Sequence, residues 1–205
     1  MTPKTFAIVP AAGRSRRMGR NKLLLPVGSR TVIRALLDAL EGLAERTFVL
    51  IREDDAELAE ELSRTNAFVV TAASDPPEMR DSVERLLHEV RDTAAPVESD
   101  AWLLIPADHL VVNRETLLRL LREREEQPEA IHVPLHHGRR GHPTLFPWAL
   151  AAEVFTLPEG RGVNDLLKRP AIAVSEHEVD DPAVLWDLDT PDDYERFVQS
   201  VGRLP

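Results

Sequence analysis

Near the start of the chain an apolar run, FAIVP, meets AAGRSRRMGRNK, where two glycines and five cations (Arg14, Arg16, Arg17, Arg20 and Lys22) crowd together. Ala11, Ala12 and Gly13 carry little or no side chain, so backbone N–H groups there can approach a ligand. Successive amides in a turn form a nest for an anion. Arg17 and Lys22 add the full charges that a polyanionic triphosphate requires. Neither the GxxxxGK[ST] spacing nor the GxGxxG fingerprint is present, so the mechanisms tied to those loops do not apply. The alternative for this stretch is a solvated basic loop.

A second chemistry lies further along. PADHLVV sets Asp108 directly after the apolar run WLLI. A carboxylate at a strand's carboxyl end suits Mg²⁺, which takes one or two carboxylates plus waters and substrate phosphates; an N-cap or turn residue would look the same. DLDTPDD offers Asp187 and Asp189, which share a face if the segment is extended and separate if it turns. Asp192 and Asp193 fall in a first helical turn, where the helix dipole accounts for them. His132, His136, His137 and His142 cluster around HHGRRGHP. Pro134 disfavours the helix that would join His132 to His136, and no cysteine can complete a structural metal site.

These groups need elements to carry them. Short apolar runs alternate with helical periodicity: strands are expected at 6–9, 47–51, 67–71 and 101–105, and helices at 31–44, 55–64 and 79–90. Such a βαβα rhythm implies parallel strands covered by helices on both faces. Beyond it, Asn113 caps a helix ending near Glu126, strands are expected at 130–135, 144–146, 171–174 and 184–186, and short helices at 150–155 and 163–168. Thr190 and Pro191 then start a last helix as N-cap and first residue. In an open parallel sheet, ligands bind beyond the carboxyl ends of strands. AAGRSRRMG, PADH and DLDTPDD all fall at such ends and can share one crevice. The fold class is thus α/β, a single-domain three-layer sandwich with a mostly parallel twisted sheet. Within it, residues 1–112 are expected to form the half that carries the glycine loop and Asp108, and 113–205 the other half.

The 205 residues carry a formal charge of -10, with 25 Lys and Arg against 35 Asp and Glu. That disfavours nucleic acid and anionic membranes as partners. The first 37 residues nevertheless hold eight cations and no acid, a concentration that suits a small anionic ligand. Without cysteine there is no disulfide, iron–sulfur cluster or thiolate nucleophile. No apolar run approaches a membrane span, and the expected location is the cytoplasm.

The string AAGRSRRMGRNKLLLP resembles the signature of the MobA-like nucleotidyltransferases, a branch of the nucleotide-diphospho-sugar transferase-like fold. Asp108, RRGHPTLF at 139–146 and DLDTPDD make the chain most similar to the molybdenum cofactor cytidylyltransferases within that branch. The resemblance implies a nucleoside triphosphate cradled by Ala11, Ala12, Gly13, Arg14 and Ser15, with Arg17 and Lys22 neutralising its phosphates. It implies Mg²⁺ on Asp108 and Asp189, with Asp187 as the alternative ligand. Arg17, Lys22 and Asp108 would carry catalysis. Ala-Ala-Gly in the loop goes with CTP. Arg80 and Ser82 resemble base- or ribose-contacting residues of the methylerythritol-phosphate cytidylyltransferases; for Ser82 the other role is a helix N-cap. Gly141, His142 and Pro143 would line the acceptor pocket, with Arg139 and Arg140 close enough to meet its phosphate, a surface hairpin being the other reading. Gly160 and Gly162 would belong to a substrate loop, and 1–112 would be the nucleotide-binding half, 113–205 the acceptor-binding half. The chain departs from the group at PPEMRDSVERLL and at His109 and Leu110. The implied reaction moves CMP onto a phosphorylated small molecule, foremost the molybdenum cofactor. The rivals are a sugar phosphate or other small phosphate acceptor, and a non-catalytic cofactor-delivery protein. A molybdoenzyme or its chaperone would be the protein partner, to a monomer or homodimer.

Overall fold

A computed structural model describes residues 2–109 and 113–201. Leu110, one of the departures noted above, lies outside them. The strands are β1 (Thr5–Pro10), β2 (Pro26–Val27), β3 (Arg30–Thr31), β4 (Arg46–Arg52), β5 (Phe68–Ala72), β6 (Ala101–Leu104), β7 (Ile131–His136), β8 (Arg139–Arg140), β9 (Thr144–Pro147) and β10 (Val174–Glu178). The α-helices are α1 (Val32–Leu40), α2 (Ala56–Leu62), α3 (Met79–Ala94), α4 (Arg114–Glu126), α5 (Ala151–Phe155) and α6 (Pro191–Val201). None is long and apolar enough to cross a membrane among the described residues.

The main sheet runs β10-β7-β9-β6-β1-β4-β5, with β8 folded back on β7. β1 pairs parallel with both β4 and β6, while β9 lies antiparallel to β6 and β7. Alternate residues of β1 feed opposite cores, because successive strand side chains point to opposite faces. Ala7 and Val9 pack with Leu36, Leu40, Leu58, Leu120 and Phe197 from α1, α2, α4 and α6. Phe6 and Ile8 pack with Leu86, Leu87, Trp102, Phe146 and Val154, which brings α3 and α5 to the other face. This is a three-layer α/β/α arrangement.

Local chemistry sets the element ends. The Thr31 hydroxyl accepts from the Arg34 amide at the start of α1, a cap contributing about 1 kcal/mol. The helix stops at Leu40, short of the expected 44, because Gly42 turns the chain at φ 71°. Asp55 caps α2 and Asn113 caps α4 through their side chains. α3 runs on past 90 to Ala94.

Two expectations fail. Residues 184–186 are not a strand. Pro182 opens a 3-10 helix, Pro182–Leu185, capped by the Asp181 side chain on the Ala183 amide. The strand expected at 171–174 lies at Val174–Glu178 instead, since the Ile172 amide closes a turn on the Arg169 carbonyl.

Candidate active site

β1 is where the chain changes direction through the sheet: β4 and β5 lie to one side of it, β6 and its successors to the other. The crevice at such a switch point opens beyond the strands' carboxyl ends. The loop after β1 leaves it here. Ser15 adopts a left-handed backbone (φ 49°) and leads a short 3-10 turn, Arg16–Met18, closed by Gly19 at φ 66°. The Ser15 hydroxyl accepts from the Lys22 amide at 3.2 Å, tying the start of the loop to its end. A Cβ on Gly13 would meet nothing within 4 Å, so the space before it is open. A recess of about 320 Å³ lies against the loop, lined among others by Gly13, Ser15, Arg16, Arg20 and Asn21.

The loop is held from below by residues that sequence reasoning missed. Arg52, at the end of β4, donates to the carbonyls of Ala12 (3.2 Å) and Gly13 (2.9 Å) and pairs with Asp55 at 2.8 Å. Asn21 donates to both Asp55 oxygens at 3.1 Å. One buried carboxylate therefore joins both ends of the loop to α2. A lone Arg at a strand end gives no sign of this, because its partners are backbone carbonyls some forty residues earlier.

Lys22 is the centre of the site. Its ammonium lies 2.7 Å from Asp108 Oδ2 and 3.3 Å from Asp189 Oδ1, with only 11% of the side chain exposed. Arg17 takes the other Asp189 oxygen at 2.9 Å. Asp108 follows β6, and Asp189 lies two residues before the start of α6. The backbone zips the two together: the Leu188 amide donates to the Asp108 carbonyl at 2.9 Å, and His109 bridges Asp187. Leu188 is fully buried between the two exposed or half-exposed carboxylates of Asp187 and Asp189. At the α6 start, the Asp193 carboxylate accepts from the Thr190 amide and hydroxyl, and the Thr190 hydroxyl accepts from the Asp193 amide. That reciprocal cap fixes where Asp189 ends its extended run.

Asp187 engages His109 rather than Lys22. Its carboxylate accepts from His109 Nδ1 at 3.3 Å, and this bond holds its pKa below the usual carboxylate range. His109 is buried, with Nε2 unpartnered, and its ring meets that of His142 edge-on at 5.3 Å. Burial first, and His109 second, push the His142 imidazole down to about 4, so it is neutral at physiological pH.

The other expected site residues are spread around this centre. The Ala11 amide donates to the Leu50 carbonyl as an extension of the β1–β4 ladder, so it is not among the donors free for a phosphate. Arg14 turns outward to Asp54 and Asp75, which raise its pKa. Arg80 donates to the carbonyls of Leu157, Pro158 and Arg161 and so anchors the 157–161 loop. Ser82 is buried within α3, whose N-cap is Glu78, so the capping role does not apply to it. Gly141 cannot be any other residue without a shift: its Cβ would lie 2.1 Å from the Val184 carbonyl oxygen. The His142 amide bonds that same carbonyl at 2.8 Å, ahead of a cis bond to the buried Pro143. Arg140 reaches outward to Glu176 at 2.6 Å.

Asp108 and Asp189 offer hard carboxylate oxygens converging on one cation, the Lys22 ammonium. Among the described residues no group of three or more metal-binding side chains gathers. Two partly exposed carboxylates are the donor set that Mg²⁺ shares with waters and substrate phosphates, so the residues fit that ion.

Strand order and loop positions together define a nucleotide-diphospho-sugar transferase-like α/β protein, as its structural neighbours do. The chain belongs to the family of the MobA-like NTP transferase domain, whose model matches residues 7–178, and it is a nucleotidyltransferase. It is 25% identical over 190 residues to the molybdenum cofactor cytidylyltransferase of Escherichia coli strain K12, covering 91% of this chain and 92% of that enzyme. The structure of Rv0371c from Mycobacterium tuberculosis H37Rv is similar at a TM-score of 0.82 and 26% identity, covering 97% of this chain and 99% of that one. The same mycobacterial protein in complex with manganese gives a TM-score of 0.74 at 25% identity, covering 96% and 99%.

Proposed function

We propose that the protein transfers CMP from CTP to a phosphorylated small acceptor, foremost the molybdenum cofactor, and releases pyrophosphate. The observation that carries this reading is the Lys22 ammonium bridging Asp108 and Asp189 beneath an open glycine loop. The likeness to the E. coli cytidylyltransferase supports CTP and the molybdenum cofactor over other pairs. A single catalytic domain, with Mg²⁺ as the working ion, completes the assignment. The manganese found with a relative supports a divalent ion.

The free amides around Ala12 and Gly13 receive the triphosphate, and Arg17 and Lys22 neutralise it. Asp108 and Asp189 would hold Mg²⁺, which supplies charge neutralisation at the phosphates and a template for in-line attack. A phosphate oxygen of the acceptor forms a bond to the α-phosphorus. The bond from that phosphorus to the α,β-bridging oxygen breaks, and the electron pair leaves on pyrophosphate. The attacking phosphate is already ionised, so no protein base is needed, and positioning and electrostatics carry the rate. Gly141, His142 and Pro143 form the acceptor wall, where the neutral His142 imidazole can hydrogen-bond without adding charge.

The test is a pyrophosphate-release screen of CTP, GTP, ATP and UTP, each with and without molybdenum cofactor and with sugar phosphates as alternative acceptors. Release with CTP and the cofactor is expected. Release with another pair reassigns the substrates, and no release from any pair removes the enzymatic reading of this chain.

A further inference from the structure

Lys22 has a geometry that nucleotide binding alone does not explain. Its ammonium is not presented to the open loop. It is drawn down between Asp108 and Asp189 at 2.7 and 3.3 Å, nine-tenths shielded from water. Arg17 completes a neutral group of two cations and two carboxylates by taking the remaining Asp189 oxygen. The ammonium therefore lies where a divalent ion ligated by those two carboxylates would have to sit.

We propose that Lys22 is a tethered stand-in for the divalent cation, so that ion and nucleotide enter together and Lys22 exchanges the carboxylates for the triphosphate. The proposal rests on the nucleotidyltransferase reading above. Its physical basis is charge. A divalent ion arriving alone must displace the ammonium or share two carboxylates with it, and like charges a few ångströms apart in a shielded site repel strongly. A triphosphate removes the obstacle by offering the ammonium new oxygens within reach of the same flexible stem. Ion and nucleotide then each raise the other's affinity, by the same factor in both directions. Before that exchange, Lys22 keeps two carboxylates from repelling each other and holds the Asp108 and Asp189 segments at their working separation. The short 3-10 turn Lys22–Leu24, capped by the Asn21 side chain on the Leu23 amide, fixes the base of the Lys22 stem while its tip moves.

The experiment is a calorimetric titration of the full chain with Mn²⁺, without nucleotide, on wild type, Lys22→Met and Lys22→Arg. Lys22→Met keeps the stem and loses the charge. It is expected to bind Mn²⁺ at least about tenfold more tightly than wild type, within the usual range of coupling between sites. Lys22→Arg, which keeps the charge, is expected to bind no more tightly than wild type. Added CTP should tighten Mn²⁺ binding in wild type and do so far less in Lys22→Met. Equal or weaker Mn²⁺ binding by Lys22→Met overturns the proposal. If the two freed carboxylates destabilise that variant, the readout becomes the rise in Tm on adding Mn²⁺, and a rise no larger than wild type's overturns it equally. Failure here is separable from failure of the reaction. Pyrophosphate release by wild type together with unchanged Mn²⁺ affinity in Lys22→Met removes the exchange alone, and tighter Mn²⁺ binding by Lys22→Met with no pyrophosphate from wild type removes the reaction alone.

Discussion

Two aspartates two residues apart serve different partners. Asp189 is shared by Lys22 and Arg17, whereas Asp187 accepts from His109. Asp189→Asn is therefore expected to lower kcat by about a hundredfold, the scale of losing one preorganised electrostatic contact. Asp187→Asn should cost far less, and steady-state kinetics of the two variants separate them; equal losses would assign both carboxylates to the ion. Gly141 gives a different expectation. With the Val184 carbonyl oxygen 2.1 Å from the site of any Cβ, Gly141→Ala should push apart the Gly141–Pro143 segment and the 3-10 turn that bears Val184. A cost of about 1–3 kcal/mol, typical of overpacking, would appear as a lower Tm. Gly13→Ala offers the contrast, since it meets open space and should leave Tm unchanged.

At the level of elements, the glycine loop is shaped by its neighbours more than by its own sequence. Arg52 on β4 and Asp55 at the α2 N-cap hold both of its ends. Arg52→Ala should raise the KM for nucleotide several-fold with a smaller change in kcat. It should also cost about 2 kcal/mol in urea unfolding, because hydrogen bonds to a charged group are lost and Asp55 is left half-paired. An unchanged KM would show that the loop keeps its shape unaided. Apart from the two-residue strands β2 and β3, the order and type of the elements through β6 were legible in the sequence because buried parallel strands read as apolar runs and their helices as clean 3.6-residue periodicity. The later half was less so. Val184, Leu185 and Trp186 form an apolar run that reads as a strand, yet Pro182 and the Asp181 cap turn it into a 3-10 helix. Val174–Glu178 pairs along one side only, and its polar and charged residues conceal the strand. Residue types marked Lys22, Asp108 and the DLDTPDD segment as site candidates. Arg52, Asn21 and His109 were not legible, because their roles arise only once distant segments meet.

Across the whole molecule, acid tolerance should be set partly by a buried histidine chain remote from the crevice. His132 on β7 donates from Nε2 to the Gln127 carbonyl at 2.9 Å, and its Nδ1 faces His177 Nε2 on β10 at 3.0 Å. Glu123 of α4 and Arg119 face His177 with opposite effects, and burial dominates, holding both imidazoles below their ordinary value. The folded protein thus binds fewer protons than the unfolded chain once pH drops below the ordinary histidine value of about 6.5. Stability present above that point is lost as pH falls. The urea midpoint should decline from pH 7 toward pH 5, and less steeply in His177→Asn; parallel slopes would assign the decline to other groups. The sheet order has a consequence for synthesis as well. β1 pairs on one side with β4 at Arg46–Arg52 but on the other only with β6 at Ala101–Leu104. A nascent chain that has emerged only as far as α3 therefore leaves one edge of β1, a strand buried along its whole length in the folded protein, bare as an open template for pairing with another chain. Until residue 104 emerges, that bare edge is an aggregation hazard on the ribosome.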